Sequence, residues 1–465
     1  MSRNRSVNRW VALAFGLVLL AVGCAGDGEG GTGAETASPG PEAAETPAET
    51  PDETPAETPA AQDSGPVTFF STQLAPVEES EKVRNTILAG FPGEVDFVGA
   101  DNYGAWVDRI TAEAEAGEGT IDLLGGLHGD FVSLGTERLT DVSDLMSELS
   151  DRGFSEDYVE LANLGTDTPY YIPWMQATYI VVANKQALEH LPDGADVEAL
   201  TYEQYAEWAA NIFDATGQAK VGFPAGEDGL LPRFFQGYLL PAFTGGVVTT
   251  FGESDAAWEW MRGIWEHTHP QSVGFGFMQD PLLSEEVWVA WDHVARLKNA
   301  LEQRPDDFVA VPAPAGPEGR AFMPVVAGLA IPATAPSPQG AQDLIAYMAE
   351  LETQATTLRE VGFFPVVEGD LPEDLSAGIQ LEADAVRMQT EAEDALPSLL
   401  PIGLGDAGGD FNKIFADTFT RIILNGEEIG PVLERQAEAL QALMEETGAS
   451  CWQPDPPSDG PCQVG

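Results

Sequence analysis

Few side chains of this sequence stand at a spacing that a known reaction requires. The chain contains no Gly-x-Ser-x-Gly sequence, no His-Glu-x-x-His and no Gly-rich loop ending in Lys-Ser or Lys-Thr. These are the signatures of serine hydrolases, zinc peptidases and phosphate-binding loops. With 76 Asp and Glu residues, a pair of carboxylates at glycosidase spacing could always be chosen, so acidic residues alone indicate nothing. We therefore predict no catalytic residues.

Two groups of residues are of the types that bind metals, and neither is a complete ligand set. His267 and His269 stand two residues apart beside Trp265, but a lone His-x-His needs further ligands. Asp406 and Asp410 lie in the sequence DAGGD, which lacks the spacing and the terminal Glu of a calcium loop. The sequence predicts neither a metal site nor a cofactor.

Other residues are of types that hold a ligand without reacting with it. Ser71 and Gln73 follow the strand-like run VTFF at 67–70, and ligands of α/β folds sit beyond the carboxyl ends of strands. In the stretch 169–185, PYYIPWMQATYIVVANK, an aromatic cluster with Trp174 precedes a β-branched run typical of a buried strand. We expect this stretch to cross between two lobes, with Trp174 at the mouth of the cleft. Packing of Trp174 inside the lobe interface is the alternative.

Alternating strand and helix patterns must position these residues. Strand-like runs at 67–70, 93–98 and 121–124 are separated by helix-compatible runs at 77–88 and 106–116, and a Gly-Gly turn follows the third strand. This order is typical of a mostly parallel sheet covered by helices. After the crossing, the sequence TYEQ at 201–204 predicts a capping box at the start of an amphipathic helix.

The length and charge of the chain limit its organisation and its partners. A chain of 465 residues exceeds what one hydrophobic core normally organises, so we expect at least two lobes. The net charge of -55 argues against a nucleic-acid partner, because phosphate binding needs clustered Lys and Arg. It also disfavours direct adsorption to anionic lipid.

The amino terminus has the pattern of an export signal. Three Arg residues within the first nine are followed by an apolar run at 10–22, too short for a comfortable membrane span. The sequence AVGC ending at Cys24 resembles the lipobox of bacterial lipoproteins, which implies that Cys24 carries a diacylglyceryl anchor; a plain secretory signal is the alternative. Residues 24–65 are rich in Pro, Glu and Thr without apolar periodicity, which predicts a disordered tether. In an exported protein, Cys451 and Cys462 are expected to form a disulfide.

Several longer motifs carry a family resemblance. They are, in chain order, IPWMQATYIVVANKQAL, TYEQYAEWAANI, VAWDHVARL, FVAVPAPAGPEG, VVAGLAIPATAPSPQGAQDLIAYM and GFFPV. Their order and spacing resemble the extracellular solute-binding proteins of ABC importers, carbohydrate-binding family 1, of the maltose-binding-protein type. The resemblance implies a two-lobed α/β, periplasmic-binding-protein-like (type II) fold with hinge crossovers. It implies a first lobe of residues 66–176 and 311–366 and a second of residues 177–310 and 367–465.

The resemblance also implies ligand contacts. Trp291 and Asp292 in VAWDHVARL match a turn beside the ligand, although Asp292 could instead be a helix N-cap paired with Arg296. His128 follows the Gly-Gly turn, Phe364 lies in the GFFPV turn, and Phe411 occupies a region that supplies stacking rings, with core packing as the alternative. The full expected ligand-binding set is Ser71, Gln73, His128, Trp174, Trp291, Asp292, Phe364 and Phe411.

The expected function is that of a lipid-anchored receptor without enzymatic activity, monomeric, on the outer face of the cytoplasmic membrane. It would hold a sugar or oligosaccharide between its lobes and deliver it to the transmembrane subunits of an ABC permease. Two alternatives remain: an exported glycoside hydrolase, and a receptor of the same fold for a non-sugar solute such as a polyol phosphate. The scarcity of Lys and Arg, 21 in all, argues against the latter.

Overall fold

The computed structural model of the protein describes residues 66–465. The predicted signal segment 1–23, Cys24 and the predicted tether at 24–65 lie outside the described residues. The described residues group into one compact unit by their internal contacts. Within the described part of the chain, every helix is too short or too polar to span a bilayer.

The described residues contain eleven β-strands. In chain order they are β1 (Val67–Ser71), β2 (Val95–Gly99), β3 (Leu123–Leu127), β4 (Ile172–Ala177), β5 (Tyr179–Asn184), β6 (Val221–Gly222), β7 (Val289–His293), β8 (Phe308–Val311), β9 (Arg320–Phe322), β10 (Val325–Ala330) and β11 (Ala395–Pro397).

Sixteen α-helices lie between and after these strands in the described range. They are α1 (Val77–Lys82), α2 (Tyr103–Ala116), α3 (His128–Leu134), α4 (Ser143–Glu148), α5 (Glu156–Ala162), α6 (Tyr202–Thr216), α7 (Leu231–Phe234), α8 (Leu240–Thr244), α9 (Asp255–Trp265), α10 (Gln279–Leu283), α11 (Val294–Gln303), α12 (Pro338–Met348), α13 (Leu351–Val361), α14 (Ala377–Thr390), α15 (Gly408–Phe419) and α16 (Ile429–Thr447). Single π-helical turns occur at Val83–Ile87, Phe235–Leu239 and Thr420–Leu424. Short 3₁₀ segments fill further connections, at Leu88–Gly90, Thr136–Arg138, Ser150–Arg152, Lys185–His190, Val197–Ala199, Phe251–Glu253, Pro270–Gly274 and Gly405–Ala407.

The first lobe is built on a five-stranded sheet in the order β2-β1-β3-β10-β4. β1 pairs in parallel with β2 and β3, whereas β10 runs antiparallel to both β3 and β4. Successive residues of β1 point to opposite faces, so Phe69 packs in one apolar cluster with Trp174 and α12, and Phe70 packs in another with Trp106. The predicted α/β architecture is confirmed, but the sheet is mixed rather than mostly parallel, because β10 returns from the second lobe and inserts antiparallel between β3 and β4.

The second lobe is built on a four-stranded sheet in the order β6-β7-β5-β8. A single large apolar cluster surrounds this sheet and includes residues of α6, α9, α11, α15 and α16. The predicted capping box of α6 is confirmed: the Thr201 hydroxyl accepts from the Gln204 N–H at 3.3 Å, and the Gln204 side chain accepts from the Thr201 N–H at 3.0 Å. A two-stranded pairing of β9 with β11 accompanies this lobe.

Paired strands connect the two lobes. β4 belongs to the first sheet, and β5, which begins two residues after β4 ends, belongs to the second. Gln176 of β4 also exchanges two backbone hydrogen bonds with Phe364, at 2.9 and 2.7 Å. The connection is therefore held in hydrogen-bonded register rather than by a flexible linker.

One local prediction and one alternative are wrong. The Gly-Gly pair does not end the third strand, because Gly125 and Gly126 continue β3 in register with Leu329 and Gly328 of β10. Asp292 is not the N-cap of the following helix: it lies inside β7, and the His293 side chain accepts from the Ala295 N–H at 3.2 Å instead.

The carboxyl-terminal segment is closed by a disulfide and fastened to the second lobe by a buried carboxylate. Cys451 and Cys462 form a disulfide with Cα atoms 4.6 Å apart. The buried Asp455 carboxylate accepts hydrogen bonds from the backbone N–H groups of Val247, Val248 and Thr249. Three converging N–H donors compensate the burial of this charge.

Candidate functional site

A large cavity of about 1040 Å³ lies between the two lobes. The first lobe contributes His128, the segment from Gly153 to Leu161, and Gln176. The second contributes Leu399 and Gln453, among others, and Phe322 of β9 also lines the cavity. Ligand pockets of proteins commonly measure about 300–1,000 Å³, so this cavity has room for a solute larger than one sugar ring.

Hydrogen bonds orient the polar side chains of the large cavity. The Tyr158 hydroxyl donates to the Gln176 side-chain oxygen, and the Gln176 side-chain nitrogen donates to the Pro365 carbonyl at 3.0 Å. His128 Nδ1 lies 3.2 Å from the Tyr171 hydroxyl, and burial lowers the pKa of His128 to about 4. The imidazole is therefore neutral at physiological pH.

The rim of the large cavity is acidic. Glu156, Glu160, Glu368 and Glu391 line it and are exposed. Carboxylates accept hydrogen bonds and donate none when ionised. The rim is thus suited to accept hydrogen bonds from the hydroxyl groups of a solute.

A second, smaller cavity of about 350 Å³ lies on the other side of the start of α3. Its first-lobe wall includes Asn102, Gly104 and Asp130, and its second-lobe wall includes Arg233 and Asn412. Asp130 Oδ2 accepts from the Thr72 hydroxyl at 2.9 Å and from the Leu127 N–H at 2.8 Å. Burial raises the pKa of Asp130 to about 6, and these two hydrogen bonds oppose the shift.

The lobes touch between the two cavities. A Cβ at Gly129 would lie 2.8 Å from the Pro401 carbonyl oxygen, so only glycine permits this approach without a shift. Nearby, the Gly405 N–H donates to the Ser133 hydroxyl at 3.3 Å across the same interface. These contacts define the distance between the lobes in this conformation.

Three of the predicted ligand residues, Ser71, Gln73 and His128, lie in the first lobe close to the two cavities. His128 lines the large cavity. Ser71 is buried at the end of β1, where its hydroxyl exchanges 2.9 Å hydrogen bonds with the backbone of Gln73. The Gln73 side chain donates to the Thr72 hydroxyl, which in turn donates to Asp130. Ser71 and Gln73 therefore support the wall of the small cavity through Thr72 and Asp130, without lining either cavity.

Three of the four Trp and Phe residues in the predicted ligand set lie in apolar cores. Trp174 is 1% exposed and packs edge-on to Phe69 at 5.6 Å between ring centroids, so it does not lie at the mouth of the cleft. Trp291 stacks on Tyr179 at 4.8 Å inside the second lobe. Phe411 packs against Trp452. None of the three lines either cavity.

Asp292 and Phe364 are also buried. Asp292 accepts from the N–H groups of Met278 and His293 at 2.9 and 2.8 Å, and burial raises its pKa to about 7. Arg296 opposes that rise, but its guanidinium donates to the carbonyls of Asp228 and Gly276. Phe364 is 5% exposed, and Pro365 rather than Phe364 faces the large cavity.

Sequence reasoning missed the residues that give the small cavity its charge. Asp130 stands at the third position of α3, where an acid is expected for capping alone. Arg233 had a signal: it is the one basic residue in the apolar run LLPRFFQGYLL at 230–240. A charge inside a buried helix requires a partner or a function.

Comparisons with known proteins agree with this architecture. The family model described as bacterial extracellular solute-binding protein matches residues 89–381, which is more than half of the chain. A comparison of the sequence with curated proteins gives no match.

Several solved structures share the fold. UgpB from Mycobacterium tuberculosis in complex with glycerophosphocholine is 19% identical, with a TM-score of 0.63 over 82% of this chain and 99% of that chain. Maltose-bound MalE3 from T. maritima is 18% identical, with a TM-score of 0.63 over 82% of this chain and 100% of that chain. The GacH receptor of Streptomyces glaucescens is 16% identical, with a TM-score of 0.60 over 82% of this chain and 98% of that chain. Together with the family match, the two lobes and the cleft identify the chain as a member of the bacterial extracellular solute-binding protein family.

Proposed function

We propose that this protein captures a sugar or oligosaccharide between its lobes and delivers it to the transmembrane subunits of an ABC permease. The observation that carries the proposal is the large cavity, which combines aromatic rings with oriented amides and carboxylates. Structures of the same fold hold maltose and acarbose, which supports this solute class.

The chemistry of the cavity suits a polyhydroxylated solute. Sugars have CH faces that pack on aromatic rings and hydroxyl groups that need planar polar partners. Phe154, Tyr158 and Phe322 supply rings, and Gln176 and Gln453 supply amides. In this proposal His128, being neutral, exchanges hydrogen bonds with a hydroxyl and contributes no charge.

We assign the first lobe to residues 66–176 and 311–366 and the second to residues 177–310 and 367–465. The strand order supports this division, apart from β9, which pairs with β11 of the second lobe. The protein would act as a monomer, anchored through a diacylated Cys24 at the outer face of the cytoplasmic membrane. Family membership supports an extracytoplasmic location.

Binding and chemistry can be separated in one experiment. Purified protein is screened by thermal shift against mono- and oligosaccharides, because a ligand that binds only the folded form raises the melting temperature. Hits are titrated by calorimetry, and the sugar is recovered and analysed by chromatography. Binding with intact sugar supports the proposal, whereas accumulation of cleaved sugar identifies a glycoside hydrolase and refutes it.

A variant series tests the location of the site. Tyr158→Ala removes a ring and releases Gln176, so we expect a loss of about 1.5–3 kcal/mol, or about 10- to 150-fold in affinity. Glu434→Gln, an exposed change on α16, is the control and should leave affinity unchanged. Equal affinities for wild type and Tyr158→Ala would place the solute elsewhere.

A further inference from the structure

Arg233 is a cation in the small cavity without a carboxylate partner among the described residues. Its Nη1 donates to the neutral Gln236 side-chain oxygen at 2.8 Å. Burial lowers its pKa, and the group that opposes this shift is the Tyr179 hydroxyl, not an acid. A guanidinium taken out of water without a counter-ion is unfavourable unless a ligand completes the pair.

The hydrogen bonds of Arg233 fix the orientation of Asn412 on the same cavity wall. A guanidinium can only donate, so the Gln236 oxygen must face Arg233 and the Gln236 nitrogen must face away from it. That nitrogen donates to the Asn412 side-chain oxygen at 3.0 Å. The remaining group of the Asn412 amide is its NH₂, a donor, and Asn412 lines the small cavity.

The amino-terminal ends of two helices also favour a negatively charged group in the small cavity. α15 begins at Gly408 and α2 begins at Tyr103, and the first turns of both line the small cavity. The amino-terminal end of a helix carries a partial positive charge that favours anions. The second-lobe wall, with Arg233, Asn412 and the start of α15, therefore presents donors and positive charge to the small cavity.

Asp130 lies on the first-lobe wall. Among the residues whose side chains the structure describes, it is the one acid that lines the small cavity. It already accepts two hydrogen bonds through Oδ2. Its other oxygen is suited to accept from a hydroxyl group of a solute, because a carboxylate has capacity for several donors. The two walls thus differ: one donates to an anion, and the other accepts from hydroxyls.

We propose that the small cavity selects a hydroxylated organic anion, a sugar acid or a polyol phosphate, whose anionic group binds Arg233 and Asn412 and whose hydroxyls face Asp130. This inference rests on the proposed capture function and narrows its solute class. The low count of basic residues argued against an anionic solute, but one suitably placed guanidinium with an oriented amide is sufficient for a single oxyanion.

The test compares matched pairs of probes by calorimetry at pH 7.5: D-glucuronate against D-glucose, and glycerol 3-phosphate against glycerol. We expect at least one anion to bind about 10- to 150-fold more tightly than its neutral partner, the range of a charge-assisted hydrogen bond. The pair that shows the difference identifies the carboxylate or the phosphate as the anionic group.

Variants test whether the preference for the anion arises in the small cavity. Arg233→Met and Asn412→Asp should each reduce the affinity for the anion at least about tenfold and leave that for the neutral partner within about twofold. Arg435→Met on the surface of α16 is the matched control and should change neither. Because Arg233→Met removes a partly buried charge without a counter-ion among the described residues, its melting temperature should equal or exceed that of wild type.

The outcomes separate this inference from the capture function. If anions bind no better than their neutral partners, or if neither anion binds, the inference is overturned, while binding of neutral sugars leaves capture intact. If Arg233→Met has a lower melting temperature and loses affinity equally for the anion and for its neutral partner, Arg233 has a structural role and the inference is also overturned. If only anions bind, with dependence on Arg233, the inference stands and neutral sugars are excluded as the solute.

Discussion

Enlarging Gly129 tests whether the contact between the lobes belongs to the ligand-bound conformation. In Gly129→Ala, the new Cβ would lie 2.8 Å from the Pro401 carbonyl oxygen and 3.9 Å from its carbon. The first distance is about 0.7 Å short of ordinary carbon contact. The obstacle is backbone, which cannot rotate away as a side chain can. The lobes must therefore separate slightly at this point.

The expected effect follows from the strain. Inserting a methyl group into a closely packed contact costs about 1–3 kcal/mol. If that contact forms only when the lobes hold a solute, the whole cost appears in binding, which corresponds to about 5- to 150-fold weaker affinity. The stability of the unliganded protein should not fall, because Gly129 lies in α3 and Ala is the better helix former.

Calorimetry with the strongest ligand of the thermal-shift screen measures the affinity, and small-angle scattering with and without ligand measures compaction. Gly129→Ala should bind weakly and compact less on adding ligand. Gly263→Ala is the matched control, because a Cβ at Gly263 of α9 has nothing within 4 Å. An unchanged dissociation constant with full compaction of Gly129→Ala would refute the reasoning, since the lobe contact would then be irrelevant to capture.

Three further predictions concern buried carboxyl groups. Glu382 is fully buried with neither oxygen hydrogen-bonded, and burial raises its pKa well above 4.5. As the pH rises above 4.5, the unfolded form loses the proton of Glu382 while the folded form keeps it, so the free energy of unfolding falls. Glu382→Gln should be more stable than wild type in urea at pH 8 and nearly equal at pH 5, and an equal difference at both pH values would contradict this. Asp455→Asn leaves the N–H groups around Val247 with poorer acceptors, so the free energy of unfolding should drop by about 1–3 kcal/mol, and an unchanged urea midpoint would count against it. The affinity for D-glucuronate, a carboxylate that keeps its charge in this range, should rise as the pH falls through about 6, where Asp130 becomes neutral, while Arg233 stays charged and the neighbouring His128 stays neutral down to about pH 4. Calorimetry at pH 5 and 7.5 should show this dependence in wild type and not in Asp130→Asn; a dependence that survives in the variant would assign it to another group.

Local pattern was sufficient for much of the fold. β1 spans 67–71 where a strand was predicted at 67–70, and the capping box starts α6 where expected, because strand alternation and helix capping are decided by nearby residues. The end of β3 was mispredicted because Gly125 and Gly126 read as a turn in isolation. They form strand only because β10, two hundred residues later, pairs with them.

The site was harder to predict than the fold. A Trp that can stack on a ligand and a Trp that fills a core have the same sequence signature, so Trp174 and Trp291 could not be assigned before their neighbours were known. Arg233 and Asn412 come from segments about 180 residues apart, and only tertiary contact through Gln236 gives them a common orientation. Whether Asp130 only caps α3 or also contacts a ligand likewise depends on the tertiary structure, which turns it towards the small cavity.

The position of β10 has a consequence for how such a receptor can be inherited. Because β10 sits between β3 and β4 in the sheet order β2-β1-β3-β10-β4, a gene fragment that stops after β4 would encode a sheet with a gap inside it. The first lobe can therefore be inherited intact only together with the four strands of the second sheet, which lie between β4 and β10 in the chain.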